Sequence, residues 1–167
     1  GNDLHGIHSD QITPASSLEY LGIQDCNLQR NDIGPLFSIV AAAGSIKEVG
    51  LEGNDLHGIQ SDQITSVSPL EYLDVQGCNL QSNDIGPLFS IVAAAGSVKT
   101  VVLDGNDLHG IQSNQITPVS SLKYLGIQGC NLESTDFGPL LSVVAAADCI
   151  TRVVLEGNDL HVFTKIR

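Results

Sequence analysis

The chain has 167 residues and a formal net charge of −12, with 42% hydrophobic residues, 4% aromatic ones, and neither Trp nor Met. Acidity on this scale argues against nucleic acid or an anionic membrane as a partner, keeps the chain soluble, and would steer a basic partner toward it. No apolar run reaches the roughly 18 residues of a transmembrane helix, and no N-terminal signal peptide is visible.

Taken in chain order, residues 1–17 are a partial return segment with no strand of their own. They open with Gly-Asn-Asp-Leu-His at Gly1, and the same five residues begin at Gly53, Gly105 and Gly157, a period of 52 residues. A fixed period means units that bury their apolar faces against one another in a one-dimensional stack. No amphipathic or disulfide-bonded cap precedes the first full unit, so this edge is expected to expose apolar surface or to recruit a second copy.

From residue 18 an apolar spacing repeats within each block. Its first copy is Leu18, Leu21, Ile23, Cys26, Leu28, and its second is Ile46, Val49, Leu51, Asn54, Leu56. Later copies start at 70, 98, 122 and 150, so the steps alternate between 28 and 24 residues. Apolar residues at every second position predict strands with one buried face. They fall at 20–23, 48–51, 72–75, 100–103, 124–127 and 152–155. The long returns force them to pair in parallel. After each strand a small inward polar or thiol group is required. Asn54, Asn106 and Asn158 fill that slot in one set of repeats, where a side-chain amide can satisfy unpaired backbone groups. Cys26, Cys78 and Cys130 fill it in the other.

The 28-residue returns read as helices. Asn31-Asp32 is the expected N-cap, Pro35 lies near the first turn and Gly44 at the far end, with Ile33, Leu36, Val40 and Ala43 on one face. The same helix recurs near Pro87 and Pro139. Residues 34–45 carry no charge, which leaves two readings of Phe37 and Phe89. Either they stand outward in an apolar stripe suited to self-association, or they tuck under the neighbouring short repeat. The 24-residue returns, with Leu56, Ile59, Ile64 and Val67 unevenly spaced among Gly58, Ser61, Thr65 and Ser66, predict turns or a short 3₁₀ segment. The third block has drifted: Leu141 replaces Phe37 and Phe89, and Asp148-Cys149 replaces Gly-Ser. Residues 161–167 abandon the pattern as a basic tail, read as the edge of a cap.

The template L-x-x-L-x-L-x-x-(N/C)-x-L, matched six times in register, resembles the leucine-rich repeat family over essentially the whole chain. The 28-residue returns and the alternation of Asn with Cys are similar to the ribonuclease-inhibitor class, and the 24-residue returns to shorter, plant-like repeats. The resemblance implies an α/β solenoid over residues 1–167, with a parallel sheet on its concave face and helices or turns on its convex face.

The four cysteines form no plausible disulfide set. Cys26, Cys78 and Cys130 are two repeats apart, about 9–10 Å at strand spacing, beyond the roughly 7 Å a disulfide spans. Buried free thiols and the lack of an Asn-x-Ser/Thr acceptor favour an intracellular, reducing compartment. His5, His57, His109 and His161 form a column without a converging ligand set and read as copied loop residues rather than metal ligands. The Gly-Asn-Asp-Leu-His-Gly loop lacks both phosphate-loop spacings. Repetition supplies no single asymmetric cluster, so neither an enzyme nor a cofactor is expected.

The expected site is instead the concave face. Outward strand positions read Tyr20, Glu48, Tyr72, Thr100, Tyr124, Arg152 in one row and Gly22, Gly50, Asp74, Val102, Gly126, Val154 in the next. The third row is Gln24, Glu52, Gln76, Asp104, Gln128, Glu156. All three tyrosines share a column; Tyr suits binding surfaces, though it also suits a strand. The expected function is a binding scaffold for a basic protein or peptide, with Glu52, Asp104 and Glu156 as acidic complement. The alternative is a structural repeat that self-associates through its ends or its uncharged helices.

Overall fold

The computed structural model describes residues 2–9, 17–64 and 69–160. Over these the chain builds strands β1 (Tyr20–Gly22), β2 (Glu48–Gly50), β3 (Tyr72–Asp74), β4 (Thr100–Val102), β5 (Tyr124–Gly126) and β6 (Arg152–Val154). They form one parallel sheet in chain order. The register is unshifted throughout: Tyr20 faces Glu48, which faces Tyr72, and so on to Tyr124 and Arg152. Each strand ends one residue earlier than the alternation suggests. Pairing continues past it as single hydrogen bonds, such as Ile23 N–H to the Gly50 carbonyl at 2.8 Å.

The 28-residue returns are helices α1 (Arg30–Ala43), α2 (Ser82–Ala95) and α3 (Phe137–Ala146). The 24-residue returns carry 3₁₀ turns at Ser61–Gln63 and Ser113–Gln115, as their composition predicts. Thr65, Ser66 and Val67 lie outside the described residues, as does the tail 161–167. Between sheet and returns runs one aliphatic core, in which Leu28, Val49, Leu51, Leu70, Leu80, Val98 and Leu122 are fully buried. Each such side chain contributes about 1.5–3 kcal/mol of transfer free energy.

One expectation about the helices changes, and one open choice is decided. The N-cap is Gln29 or Gln81, not the Asn31-Asp32 pair. Asp32 lies three residues inside, and its carboxylate reaches back to accept the Gln29 N–H at 2.8 Å; Asp84 and Gln81 repeat this at 2.8 Å. An acid at this position satisfies an orphan donor and meets the positive end of the helix dipole. Phe37 and Phe89, secondly, point inward, only 3% and 2% exposed. Ile33, Leu36, Phe37 and Val40 stand at i, i+3, i+4 and i+7, the spacing of a buried helical face. Ser38 and Ala42 are exposed instead, so α1 presents small side chains outward rather than an aromatic stripe.

α3 is shorter than its counterparts. α1 and α2 end on Gly44 and Gly96 in the left-handed region (φ 65° and 67°), which glycine enters without strain. The third block has Asp148 at that position, and α3 stops on Ala147 without the glycine cap.

Candidate functional site

The asparagine and cysteine column is a continuous inter-repeat ladder. Asn54 Oδ1 accepts the Cys26 and Leu28 N–H groups at 3.1 and 3.0 Å, and its Nδ2 donates to the Ile23 and Leu51 carbonyls at 2.8 and 2.6 Å. Asn158 makes the same four bonds, to Cys130, Leu132, Ile127 and Leu155. Asn106 accepts from Leu80 and donates to Val75 and Leu103. The Cys78 and Cys130 thiols donate across to the Leu51 and Leu103 carbonyls at 3.1 and 3.3 Å. Burial pushes the Cys78 thiol up to about 12 and the Cys130 thiol up to about 11, so both stay protonated and inert. Cys149 is half-buried.

A second column was read in the sequence as solitary loop histidines, and here the structure adds a partner. His5, His57 and His109 place Nδ1 at 3.1, 2.9 and 3.2 Å from the buried carboxylates of Asp32, Asp84 and Asp136. The following glycines donate their N–H to the same carboxylates: Gly6, Gly58 and Gly110, at 2.8, 2.9 and 2.9 Å. Each short-repeat loop is therefore clipped to the N-terminus of the next helix. Burial raises the Asp32 carboxyl, but the Gln29 N–H, the His5 ring and the Gly6 N–H more than offset it, and its pKa falls below the ordinary value. His161 lies outside the described residues. The signal for this clip was present: His and Asp recur 27 residues apart in all three blocks.

The concave face carries the predicted rows. Tyr20, Tyr72 and Tyr124 stand in one column on alternate strands, separated in register by Glu48 and Thr100. Their surroundings differ. Tyr20 is half exposed, and its hydroxyl accepts Gln24 Nε2 at 2.8 Å. Tyr72 donates to Asp74 Oδ2 at 3.1 Å. Its phenol is pushed up to about 12 by burial, then by Asp74, Glu52 and Glu48. Tyr124 lies beneath Arg152, whose guanidinium carbon is 5.6 Å from the ring centroid, a cation–π pair.

The third row splits in two. Gln76, Asp104, Gln128 and Glu156 line one shallow open depression with the turn glycines Gly105, Gly129 and Gly157. Within it Asp104 Oδ1 already accepts the Gln128 N–H at 2.8 Å, which leaves Glu156 the freer acid. Gln24 and Glu52 lie apart, leaning over Gly50. A Cβ there would come within 2.8 Å of both Gln24 Nε2 and Glu52 Oε2. Glu52 Oε2 is buried yet accepts no hydrogen bond from any described residue. Glu48 and Asp74 complete this acidic neighbourhood; row position marked them in the sequence, but only the fold shows that Tyr72 feels all three carboxylates.

Among the described residues no group of three or more His, Cys, Asp or Glu side chains is placed to hold a metal ion. No described helix is long and apolar enough to cross a membrane.

No family model matches the chain. It is 27% identical to the ribonuclease inhibitor of Sus scrofa over 159 residues, covering 89% of this chain and 35% of that protein. The ribonuclease inhibitor of Mus musculus is 25% identical over 161 residues (88% of this chain, 34% of the relative). Podocan of Mus musculus is 30% identical over 132 residues, covering 79% of this chain and 20% of its own length. The chain thus spans about a third of the inhibitors' length. With six template repeats in register, one parallel sheet, an Asn/Cys ladder and relatives aligned over most of its length, the chain is a leucine-rich repeat protein.

Proposed function

We propose that residues 1–167 act as one non-catalytic scaffold that binds a protein or peptide through the concave strand face. The observation that carries this reading is the tyrosine column on an uncovered sheet face. A rigid aromatic with a polar tip gives large contact area at little entropic cost, and no described helix or loop folds over it. The acidic rows favour a partner with Lys or Arg, because opposite charge steers encounter. The buried thiols favour a reducing compartment. The pig and mouse inhibitors are named for ribonuclease, so a ribonuclease is the first partner to assay. Immobilised wild-type chain and a Tyr20→Ala, Tyr72→Ala, Tyr124→Ala variant are compared for capture of ribonuclease and of proteins from lysate. The expected outcome is a partner retained by wild type and lost by the variant, with circular dichroism unchanged. Equal retention by both would sink the reading.

One observation favours a second reading, self-association: Leu141 on α3 is 47% exposed where α1 and α2 bury phenylalanine. Sedimentation of wild type and Leu141→Ser over a concentration series tests it. Association that the substitution relieves would support it, and a monomer at every concentration would end it.

A further inference from the structure

The chain itself shows how one of its tyrosines is used. At the C-terminal end of the sheet Arg152, beside Tyr124 in register, lays its guanidinium over that ring. Among the described residues no such cation lies over the other two tyrosines. Glu48 occupies the equivalent position beside Tyr20, and it also faces Tyr72 from the other side. Two rings two strands apart are separated by about 9–10 Å. Glu48 stands between them on β2, and the Gln24 amide, Glu52 Oε2 and the Tyr20 hydroxyl hold the place over Gly50.

The floor and charge of this place favour a cationic guest in exchange for the Gln24 amide. Gly50 carries no side chain beneath it, and Glu52 reaches in with a buried, unbonded carboxylate oxygen. Buried acceptors are almost always bonded, so one left over on a binding face calls for a donor. Asp74 adds a further carboxylate, 7% exposed, already held by the Tyr72 hydroxyl and the Gln76 N–H. The ion pairs among the described residues are Lys47–Glu19, Lys99–Glu71 and the three His–Asp clips. None of them reaches Glu48, Glu52 or Asp74.

Resting on the concave-face reading above, we infer that a partner's arginine seats its guanidinium between Tyr20 and Tyr72, over Gly50, with Glu48 and Glu52 as its carboxylate partners. Arginine fits better than lysine. Its planar fork stacks on rings and pairs with carboxylates at once, whereas an ammonium is a strongly hydrated point charge. To bind, it takes the place of the Gln24 amide that now lies against Tyr20. The third tyrosine is closed to the same partner group because Arg152 already covers it. The sheet is therefore polar, receptive in its first half and self-satisfied in its last.

The test is an NMR titration of the labelled full chain with acetyl-Gly-Arg-Gly-amide. Citrulline and lysine versions of the peptide run in parallel. The expected result is saturable shifts of the Tyr20 and Tyr72 rings and the Gly50 amide with the arginine peptide. Citrulline should give none, and lysine should bind more weakly. Affinity should fall at least about five-fold in Glu52→Gln, since charge-assisted pairs are roughly twice as strong as neutral ones. Glu48→Arg, which gives the first block its own Arg152, should abolish the response while leaving the amide spectrum folded. Shifts spread equally over Glu19 and Glu133, an equal response to citrulline or lysine, or an unchanged Glu52→Gln would overturn the inference. Tyrosine-dependent capture of a partner without any arginine response would sink this subsite alone. Capture indifferent to the tyrosines would sink the concave-face reading itself.

Discussion

The 28-residue returns cross the convex side as helices, and the described residues of the 24-residue returns cross it as turns and a 3₁₀ segment. Each kind depends on the other. The helix sends Phe37 or Phe89 toward the following short return, where Ile59 and Ile64, or Ile111 and Ile116, close around it. The short return in front of the helix sends His and Gly to the carboxylate at the helix start. A helical repeat is thus held by short repeats on both sides. The structural unit of this solenoid is the 52-residue pair: in the uncharged stretch 34–45 the bulky Leu36, Phe37, Ile39 and Val40 are covered, and the small Ser38 and Ala42 face water.

The sharpest way to break that comparison is to empty the contact. Phe89→Ala removes a ring that is 2% exposed and is expected to cost about 3–5 kcal/mol in urea unfolding, from lost transfer energy plus a residual cavity. Leu141→Ala, at the equivalent position of the third block but 47% exposed, should cost under about 1 kcal/mol. Equal losses would mean that the following short repeat does not create the phenylalanine site.

Asn106→Leu addresses the ladder that both kinds of repeat share. The substitution keeps bulk but strips the partners seen here from the Leu80 N–H and the Val75 carbonyl, and leaves the Leu103 carbonyl with the weak Cys130 thiol. Unsatisfied buried groups cost roughly 1–3 kcal/mol each, so a loss of about 3 kcal/mol is expected, with strand content kept. Cys78→Ala, which removes a weak thiol donor at the alternate rung, should lose much less. A similar loss at both rungs would show that filling volume, rather than hydrogen bonding, matters in this column.

The strands, their register and the Asn/Cys column were legible because the template ties each to a fixed offset. A strand position needs only alternation, and an inward Asn needs only its slot. The helix starts were less legible. Asp32 looks like a cap, and no local rule shows that its carboxylate acts from inside the helix on Gln29 while also holding His5 and Gly6 from the preceding repeat. The burial of Phe37 under the neighbouring short repeat was one of two open readings, because it depends on the pair of repeats rather than on either alone. On the concave face the rows were readable, but their chemistry was not. Whether Asp104 is a free acid or a backbone acceptor, and whether a tyrosine is already covered, depends on side chains that meet only across strands.

The clip at the helix start makes a pH prediction. The folded pKa of Asp32 lies below its unfolded value, near 3.9, because the bonds from Gln29, His5 and Gly6 outweigh burial. A depressed carboxyl contributes stability that is fully present above the unfolded value and lost as pH falls through the folded one. Urea midpoints should therefore be flat in Asp32 between pH 5 and 7 and fall below about pH 4. Asp32→Asn, able to satisfy fewer of the donors, should be less stable at pH 7 yet lose less on acidification. An acid limb of the same steepness in both proteins would place the sensitivity elsewhere.

The smallest expected effect separates the two halves of the clip. His57 is 45% exposed at its side chain, whereas Asp84 is 5% exposed. An ion pair with one partner in water is worth about 0–1 kcal/mol. Asp84 also keeps the Gly58 and Gln81 N–H groups when the ring is gone. His57→Ala should therefore cost no more than about 1 kcal/mol, and Asp84→Ala clearly more, since it orphans both backbone donors at a helix start. If the ring substitution proves the costlier of the two, the short return is held by its histidine. Its link to the next helix would then rest on a side chain half in water rather than on the buried carboxylate.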